Sequence, residues 1–523
     1  MKSFALKATY AIASGVMLTM AFPSAGIRHL AWVALVPLIL SMNNASFGSG
    51  FRLGFISGVV HYLTLLYWLV PTMEIYGHLP IYLSVPLLIL LSSYLAGYIG
   101  LFCGIGSWLS HRFRAAAAGF PVLWVSLEYA RSTLFTGFPW ELLGHSQYLG
   151  LHLIQLCDIF GVYGLSFLIL ASNTAISIGI LYAIRISWFG KKISGKVTAA
   201  SFVVSGCLLC ASWVYGSKAI RETDRLVLES PSLRISVIQG NIEQALKWDP
   251  EFQLETIKRY VSLSREAGKD QPDLIVWPET ATPFYFLKDL TLSLLVLQGI
   301  QEIENEFLIG SPSYSQDKSW TAYYNSAYLI HPREGVRGRY DKAHLVPYGE
   351  YIPLKKWFPF AGKMVEHVGD FEAGKTGAVL TWPKADLGPL ICYEGIFPDL
   401  SRSMARNGAG ILVNITNDAW YGRTSAPYQH FSMGVFRAVE NRRALVRSAN
   451  TGISGFIDPS GRIISETRLF EKAQVTETVP IIRKKTVYTR FGDWFAVGCA
   501  ALALMGICMG LTRQSYRPKW KNT

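Results

Sequence analysis

The chain contains 523 residues, of which 50% are hydrophobic and only 16% are charged, and its formal net charge is +13. Soluble domains carry about 25% charged residues, so this composition excludes a purely soluble protein and a disordered one. The mean hydropathy of +0.26 indicates long apolar segments, and the basic excess leaves nucleic acid, anionic lipid and membrane topology open as its cause.

Apolar segments dominate residues 1–216 and return near the C-terminus, whereas residues 217–490 have the composition of a soluble domain. A helix needs about 20 residues to cross a hydrocarbon core of about 30 Å. The pattern predicts a multi-pass α-helical membrane domain of seven helices at 1–216, an inserted domain at 217–490, and an eighth helix with a basic tail at 491–523. The first segment is alternatively a signal peptide, because two lysines precede it. The predicted spans lie at residues 5–22, 29–42, 54–71, 81–108, 115–131, 157–184, 197–216 and 493–511.

The basic residues predict the orientation of these spans. If the N-terminus is cytoplasmic, thirteen Lys and Arg residues fall in cytoplasmic segments, and only Arg28 and Arg131 fall in short loops on the other side. The positive-inside rule then predicts that both termini are cytoplasmic and that the inserted domain is extracytoplasmic. Residues 217–490 contain 34 basic and 31 acidic residues. Most of the net charge therefore belongs to the membrane segments, and no nucleic-acid partner is predicted.

The inserted domain alternates between strand-like and helix-like segments, which predicts an α/β fold. The last predicted helix contains Arg442, Arg443 and Arg447, for which we favour a solvated face, with phosphate headgroups as the alternative. Strands are predicted at 233–239, 273–277, 307–310, 388–392 and 410–414, hairpins at 322–344 and 453–464, and helices at 251–267, 290–306, 398–407 and 429–448.

Three reactive side chains follow predicted strands, where a rigid element can present them. They are Glu279 in VWPET, Lys342 in RYDKAH, and Cys392 in LICYE, which is the only cysteine of the inserted domain. A carboxylate can take the proton of a thiol, and an ammonium can stabilise the oxyanion that forms when the thiolate attacks a carbonyl. Each residue alone is more often structural, but the combination predicts covalent catalysis by Cys392. No metal-ligand spacing occurs in this domain, so neither a metal nor a cofactor is predicted.

The motifs around these residues resemble the Glu-Lys-Cys signature of the nitrilase, or carbon–nitrogen hydrolase, superfamily. They are PDLIVWPET at 272–280, YDKAHLVPYGEYIP at 340–353 and ICYEGIF at 391–397. Residues 1–511 as a whole resemble the apolipoprotein N-acyltransferase family, a membrane-embedded branch of that superfamily. Further motifs that carry this resemblance are GFPW at 137–140, NITNDAWYG at 414–422 and RRALVRSANTG at 442–452.

The resemblance implies a four-layer αββα sandwich in which Glu279 is the general base and Cys392 the nucleophile. It implies that Lys342 holds the oxyanion together with the backbone N–H of Tyr393, and that Glu350 orients Lys342. A core position is the competing interpretation for Trp248. Segment 357–364 is predicted to be either a membrane-facing lid or an ordinary buried loop. Supporting or substrate-binding positions implied by the resemblance are Glu350, Tyr393, Glu394, Trp248, Asn325, Trp420 and Tyr421.

The resemblance also implies the substrates and the location of the protein. The acyl donor is a membrane phospholipid, the acceptor is a diacylglyceryl apolipoprotein, and the catalytic domain is on the periplasmic side of a bacterial inner membrane. The residues alone leave two other functions open: a membrane-anchored amidase that passes the thioester to water, and a scaffold or transporter without catalysis. A soluble amidase needs no set of apolar spans, which favours an enzyme that takes its acyl chain from the bilayer.

Overall fold

The computed structural model describes residues 4–317, 320–351 and 371–512. The chain divides into two compact units. The first contains the described residues of Met1–Val70, Pro80–Ser217 and Asp493–Thr523, and the second contains those of Pro71–Leu79 and Lys218–Gly492. Residues 71–79, which composition assigns to the membrane domain, therefore group with the second unit. The candidate lid at 357–364 lies outside the described residues.

Among the described residues, four helices are long and apolar enough to cross a membrane. They are Ile81–Arg112, Val162–Ala183, Gly195–Glu229 and Trp494–Thr512. A fifth span is present if the helices Phe47–Leu65 and Leu69–Ile75, which are bent by 49° to each other, are counted together. At least four helices can therefore span a membrane, and the figure of about eight stays a prediction. Shorter helices are Phe4–Met20, Ala31–Ala34, Val36–Ser41, Phe120–Thr133, Leu151–Ile154 and Cys157–Phe160.

Glycine spacing explains how two helices of the first unit pack. Gly50, Gly54 and Gly58 recur every four residues on helix Phe47–Leu65 and face helix Ile81–Arg112, where an added Cβ would overlap backbone atoms. Small residues at this spacing let two helix backbones approach closely, which is the usual way in which helices associate in lipid. The GxxxGxxxG pattern therefore explains this packing.

The second unit contains two β-sheets. The six-stranded sheet has the order β11-β1-β2-β3-β4-β5, and the five-stranded sheet has the order β10-β9-β8-β7-β6. The strands β1, β2 and β3 are parallel, as are β6, β7 and β8, so their carboxyl ends lie at one edge of each sheet. The strands are β1 Ser232–Gln239, β2 Leu274–Val276, β3 Glu306–Asp317, β4 Trp320–His331, β5 Gly335–Asp341, β6 Leu387–Ile391, β7 Ile411–Thr416, β8 Ala444–Ala449, β9 Gly455–Ile457, β10 Ile463–Glu466 and β11 Ala473–Pro480.

The two sheets face each other, and helices cover their outer faces. Ser448 on β8 donates from Oγ to the carbonyl of Ile238 on β1 (3.2 Å) and to that of Val276 on β2 (3.0 Å). Helices Pro250–Gly268 and Leu290–Ile303 share an apolar core with the six-stranded sheet. Helices Pro398–Arg406 and Ala426–Asn441 pack on the five-stranded sheet. These four layers confirm the predicted α/β domain; a further short helix is Val487–Phe491.

One predicted helix is wrong in its last seven residues, 442–448. The helix predicted at 429–448 ends at Asn441, because Arg442 adopts a left-handed conformation with φ 51°, and Ala444–Ala449 forms β8 instead. Every residue of β8 is buried, so the segment lacks the alternation that marks a half-buried strand. Arg442, Arg443 and Arg447 are buried, which contradicts both the solvated face and the headgroup contact.

Two other strands differ from the sequence prediction. The strand predicted at 307–310 is the N-terminal part of β3, which runs for twelve residues because it pairs along its length with β4. Strand β11 was not predicted, although it pairs antiparallel with β1 at the edge of the six-stranded sheet. Its residues are mostly half-buried and mixed in polarity, which is a weak signal in a sequence.

Candidate active site

The three reactive residues come together beyond the carboxyl ends of three strands, two in the six-stranded sheet and one in the five-stranded sheet. Glu279 lies three residues after β2, while Lys342 and Cys392 directly follow β5 and β6. Their exposed fractions are 6%, 1% and 7%, so the site is almost closed to water. The Lys342 Nζ lies 3.9 Å from Glu279 Oε1, and the Cys392 thiol interacts electrostatically with both residues.

The ammonium of Lys342 lies between two carboxylates. It donates to Glu350 Oε1 at 2.9 Å and lies 2.8 Å from Glu350 Oε2, a much closer contact than that with Glu279. Burial by itself would lower the pKa of Lys342, but the charges of Glu350 and Glu279 outweigh burial and hold the pKa above its ordinary value. Lys342 therefore stays protonated and is a fixed positive charge in the site.

The amide of Asn325 connects the two carboxylates. Its Nδ2 donates to Glu279 Oε1 at 2.8 Å and to Glu350 Oε1 at 2.9 Å. Ionised carboxylates accept hydrogen bonds only, so the amide must present its nitrogen to both, which fixes its orientation. The Oδ1 atom has no hydrogen-bond partner within the described part of the chain. Asn325 thus holds the two acids at a set separation, although it lies inside β4 and not after a strand.

Glu279 is arranged as a base. Its Oε2 accepts from the backbone N–H of Asn417 at 2.9 Å, and its backbone carbonyl accepts from Lys247 Nζ at 3.2 Å. Burial raises the pKa of Glu279, and Glu350 adds to this, against the opposing effects of Lys342 and Asn325. A carboxylate with a raised pKa holds a proton more strongly, so Glu279 is a better proton acceptor than an exposed glutamate.

The Cys392 residue is held in an unusual backbone conformation. It has φ 53° and begins the one-turn 3-10 helix Cys392–Ile396. Left-handed φ values cost a residue with a side chain about 1–2 kcal/mol, so the surroundings must hold this conformation. Burial and the Glu279 carboxylate raise the pKa of the thiol, while Lys342 and a hydrogen bond with Thr416 oppose them. The thiol is therefore protonated at neutral pH and needs a base.

Glu394 ties the nucleophile turn to the segment that carries Lys342. Its carboxylate accepts from the N–H groups of Ala343 (2.7 Å), His344 (3.0 Å) and Ile391 (2.7 Å), and from the hydroxyl of Tyr340 (2.9 Å). Burial raises its pKa to about 7, although these donors favour the ionised form. Glu394 thus fixes the strand ends of β5 and β6 against each other.

The other predicted positions lie around this buried centre. Trp248 is 51% exposed, so the alternative of a core tryptophan is wrong, whereas its neighbour Lys247 is buried beside Glu279. Trp420 is 38% exposed and Tyr421 is half-buried. Tyr393 is buried, and its ring meets that of Phe397 edge-on at 5.1 Å.

Segment Pro71–Leu79 supports the turn that carries Trp420. Thr72 Oγ1 donates to the carbonyl of Trp420 at 2.9 Å, and the Tyr76 hydroxyl donates to that of Ala419 at 2.8 Å. The Tyr76 ring also meets the Trp420 ring edge-on at 5.1 Å. The turn Asp418–Tyr421 is therefore fixed partly by residues that lie more than 300 positions earlier in the sequence.

Sequence reasoning missed two residues beside Glu279, namely Lys247 and Asn417. Both lie in motifs quoted above or next to a named residue, but only the folded chain shows that they contact Glu279. Burial lowers the pKa of Lys247 to about 8. No group of three or more His, Cys, Asp or Glu side chains in residues 4–317, 320–351 and 371–512 is arranged to hold a metal ion.

Comparisons with known proteins cover nearly the whole chain. Residues 14–175 match the family model for the apolipoprotein N-acyltransferase N-terminal domain, and residues 234–483 match that for carbon-nitrogen hydrolase. The apolipoprotein N-acyltransferase of Geobacter metallireducens is 44% identical over 97% of this chain and 95% of its own length. That of Methylococcus capsulatus is 31% identical over 97% and 96%. A crystal structure of an amidase from Nesterenkonia sp. is 19% identical, covers 48% of this chain and 91% of its own, and has a TM-score of 0.36. The chain belongs to the apolipoprotein N-acyltransferase family.

Proposed function

We propose that the protein transfers an acyl chain from a membrane phospholipid to the α-amine of the N-terminal diacylglyceryl-cysteine of a lipoprotein. The observation that carries the proposal is the burial of Cys392, Glu279 and Lys342 in one site, where the Lys342 Nζ lies 3.9 Å from Glu279 Oε1. Relatives named apolipoprotein N-acyltransferase that match along nearly the full length support the choice of reaction. This would complete lipoprotein maturation.

The first half-reaction loads the enzyme. Glu279 takes the proton of the Cys392 thiol, and the thiolate attacks the carbonyl carbon of a phospholipid acyl ester. Lys342 and the backbone N–H of Tyr393 hold the oxyanion that forms. When the oxyanion collapses, the C–O bond breaks and Glu279 returns its proton to the departing oxygen. The products are a lysophospholipid and a thioester on Cys392.

The second half-reaction unloads the acyl chain onto an amine. The free α-amine of the acceptor attacks the thioester carbonyl, and Glu279 takes a proton from the attacking nitrogen. The same two donors hold the second oxyanion. The C–S bond then breaks, an amide bond is formed, and the proton on Glu279 goes to the sulfur of Cys392. Both half-reactions thus use one base and one oxyanion site.

The contacts of the neighbouring residues support a role for each of them in this scheme. Glu350 keeps the ammonium of Lys342 in place through its close ion pair, and Asn325 keeps Glu350 and Glu279 apart. Tyr393 and Glu394 shape the nucleophile turn. The exposed rings of Trp248 and Trp420, together with Tyr421, provide an aromatic border that suits acyl chains.

We assign the chain to a bacterial inner membrane with about eight spans. The positive-inside distribution of Lys and Arg supports cytoplasmic termini and a periplasmic catalytic domain. In this arrangement residues 1–216 form the membrane domain with seven helices, residues 217–490 form the catalytic domain, and residues 491–523 form the eighth helix and its tail. At least four span-length apolar helices support membrane insertion.

Mass spectrometry of the purified protein in phospholipid tests the proposal directly. The peptide that contains Cys392 is expected to gain the mass of an acyl group, and addition of a diacylglyceryl peptide should remove that adduct and yield an N-acylated peptide. Cys392→Ala should abolish both signals, while Cys103→Ala, which changes a buried cysteine of the first unit, should retain them. Free fatty acid without N-acylated peptide would instead identify a membrane-anchored amidase. Full transfer by Cys392→Ala would exclude thioester chemistry altogether.

A further inference from the structure

Two buried side chains hold the backbone carbonyl of the nucleophile. His430 Nε2 lies 3.1 Å from the carbonyl oxygen of Cys392, and Asn414 Nδ2 donates to the same oxygen at 3.4 Å. Asn414 Nδ2 also donates to the carbonyl of Leu390 at 2.9 Å. Because a carbonyl oxygen only accepts, His430 must carry its hydrogen on Nε2.

The imidazole of His430 is oriented from its other side. Its Nδ1 lies 3.0 Å from Arg447 Nη2 and 3.1 Å from Asp418 Oδ1. Burial and the Arg447 guanidinium lower the pKa of His430, against the opposing effect of Asp418, and so favour the neutral ring. An arginine nitrogen always carries hydrogens, so the unprotonated Nδ1 accepts from Arg447 and the Nε2–H tautomer is the one that fits.

Arg447 and Asp418, which contact Nδ1 of His430, are themselves held in place. Arg447 Nη2 donates to Asp418 Oδ2 at 2.8 Å, and Arg447 Nε donates to the carbonyl of Ile453 at 3.1 Å. Arg447 Nη1 contacts Asn414 Oδ1. Asp418 further accepts from Thr416 Oγ1 at 3.0 Å. All of these groups are buried, so the arrangement is rigid and shielded from competing water.

Peptide geometry links this arrangement to the reaction. The carbonyl of Cys392 and the N–H of Tyr393 belong to one planar trans peptide unit, in which they point in opposite directions. A donor that fixes the direction of the carbonyl therefore fixes the direction of the N–H. Donation to the carbonyl also polarises the peptide and strengthens its N–H as a donor. The left-handed φ of Cys392 makes such support necessary.

We propose that His430 is a positioning residue of the oxyanion hole. Through its bond to the Cys392 carbonyl it aims the N–H of Tyr393 at the oxygen of the tetrahedral intermediate. Arg447, which Asp418 holds in place, donates to Nδ1 of His430 and so keeps the ring hydrogen on Nε2. This inference rests on the proposed function, in which that N–H binds the oxyanion in both half-reactions. His430 itself does not touch the substrate.

Two reactions of the same thiol distinguish this role from a general structural one. Acylation of Cys392 by phospholipid passes through an oxyanion, whereas alkylation by iodoacetamide is a direct displacement that forms none. Both are measured on the full-length protein in detergent–phospholipid micelles by following the mass of the Cys392 peptide over time. The variants are His430→Leu, which removes the donor, and His430→Gln, whose amide can donate from the position of Nε2. His430→Asn, which is too short to do so, and Ser432→Ala, a buried change on the same helix, complete the set.

We expect His430→Leu and His430→Asn to acylate at least 10-fold more slowly than the wild type, with alkylation changed less than 2-fold. His430→Gln should recover most of the acylation rate, and Ser432→Ala should behave as the wild type. Equal losses in acylation and alkylation, or unchanged acylation in His430→Leu, would overturn the inference. If His430→Leu does not fold, the acylation and alkylation rates of His430→Gln and His430→Asn are compared instead. Slower acylation in the Asn variant alone supports the inference, and equal acylation rates in the two variants overturn it. A wild type that forms no acyl adduct would refute the proposed function instead.

Discussion

The bridging amide of Asn325 allows a quantitative test of how Glu279 is tuned. Asn325→Leu keeps the side-chain volume and removes the donor that reaches Glu279 Oε1 at 2.8 Å. A hydrogen bond to a charged group contributes about 1.5–3 kcal/mol, and one pKa unit corresponds to about 1.4 kcal/mol. Losing this donor destabilises the ionised form, so the pKa of Glu279 should rise by about 1–2 units. The base must be unprotonated to accept the thiol proton, so the acid limb of the rate profile should move to higher pH by the same amount.

The assay is the rate of Cys392 acylation, measured from pH 5 to pH 9 by quenching and mass spectrometry. Asn305→Leu is the matched control, because Asn305 lies just before β3, five residues before Gly310, where that strand passes Glu279, and donates to the carbonyl of Pro272. The control should leave the acid limb in place. An Asn325→Leu variant that reacts more slowly at every pH, with an unmoved acid limb, would refute the reasoning and assign Asn325 a purely structural role.

Three further changes have definite expected outcomes. Glu350→Gln removes the closer carboxylate of Lys342 and should slow acylation by about 10- to 150-fold, measured as above, because a charge-assisted hydrogen bond is lost; an unchanged rate would contradict the orienting role. Glu394→Gln replaces a carboxylate that only accepts hydrogen bonds with an amide whose NH2 group would face other donors. The midpoint of thermal denaturation in detergent should therefore fall by about 5 °C, and an unchanged midpoint would show that Glu394 is not needed to hold the ends of β5 and β6 together. Lys247 has its pKa lowered to about 8 from an ordinary 10.5, so between pH 8 and pH 10 the unfolded chain binds a proton that the folded protein has released. Stability should therefore rise with pH in this window, and Lys247→Met should lose that rise, whereas an equal rise in the variant would assign it to other groups.

The reactive trio was predictable because each member follows a predicted strand in a recognisable motif. Glu279 and Lys342 follow β2 and β5, which run in the same direction in the six-stranded sheet, and Cys392 follows β6 in the facing sheet. Asn325 has no such signal, since it lies inside a strand and acts through the acids on either side of it.

The buried polar residues behind the nucleophile were less accessible to sequence reasoning. An arginine in a sequence normally indicates a solvent-exposed position. Arg447 is buried because its charge is neutralised by Asp418, which lies 29 positions earlier in the chain. The partner of a buried charge is set by tertiary structure, and local periodicity carries no information about it. The same holds for β8, whose complete burial removes the alternation on which strand prediction depends.

The contribution of Pro71–Leu79 to the turn at Asp418–Tyr421 limits how the catalytic unit can be dissected. A fragment cut at Lys218 and Gly492 would keep both sheets but would lose the donors of Thr72 and Tyr76 and the ring that packs on Trp420. The catalytic unit is therefore discontinuous in sequence and is not an excisable module. A soluble version of this enzyme would need a redesigned aromatic turn as well as the removal of its apolar helices.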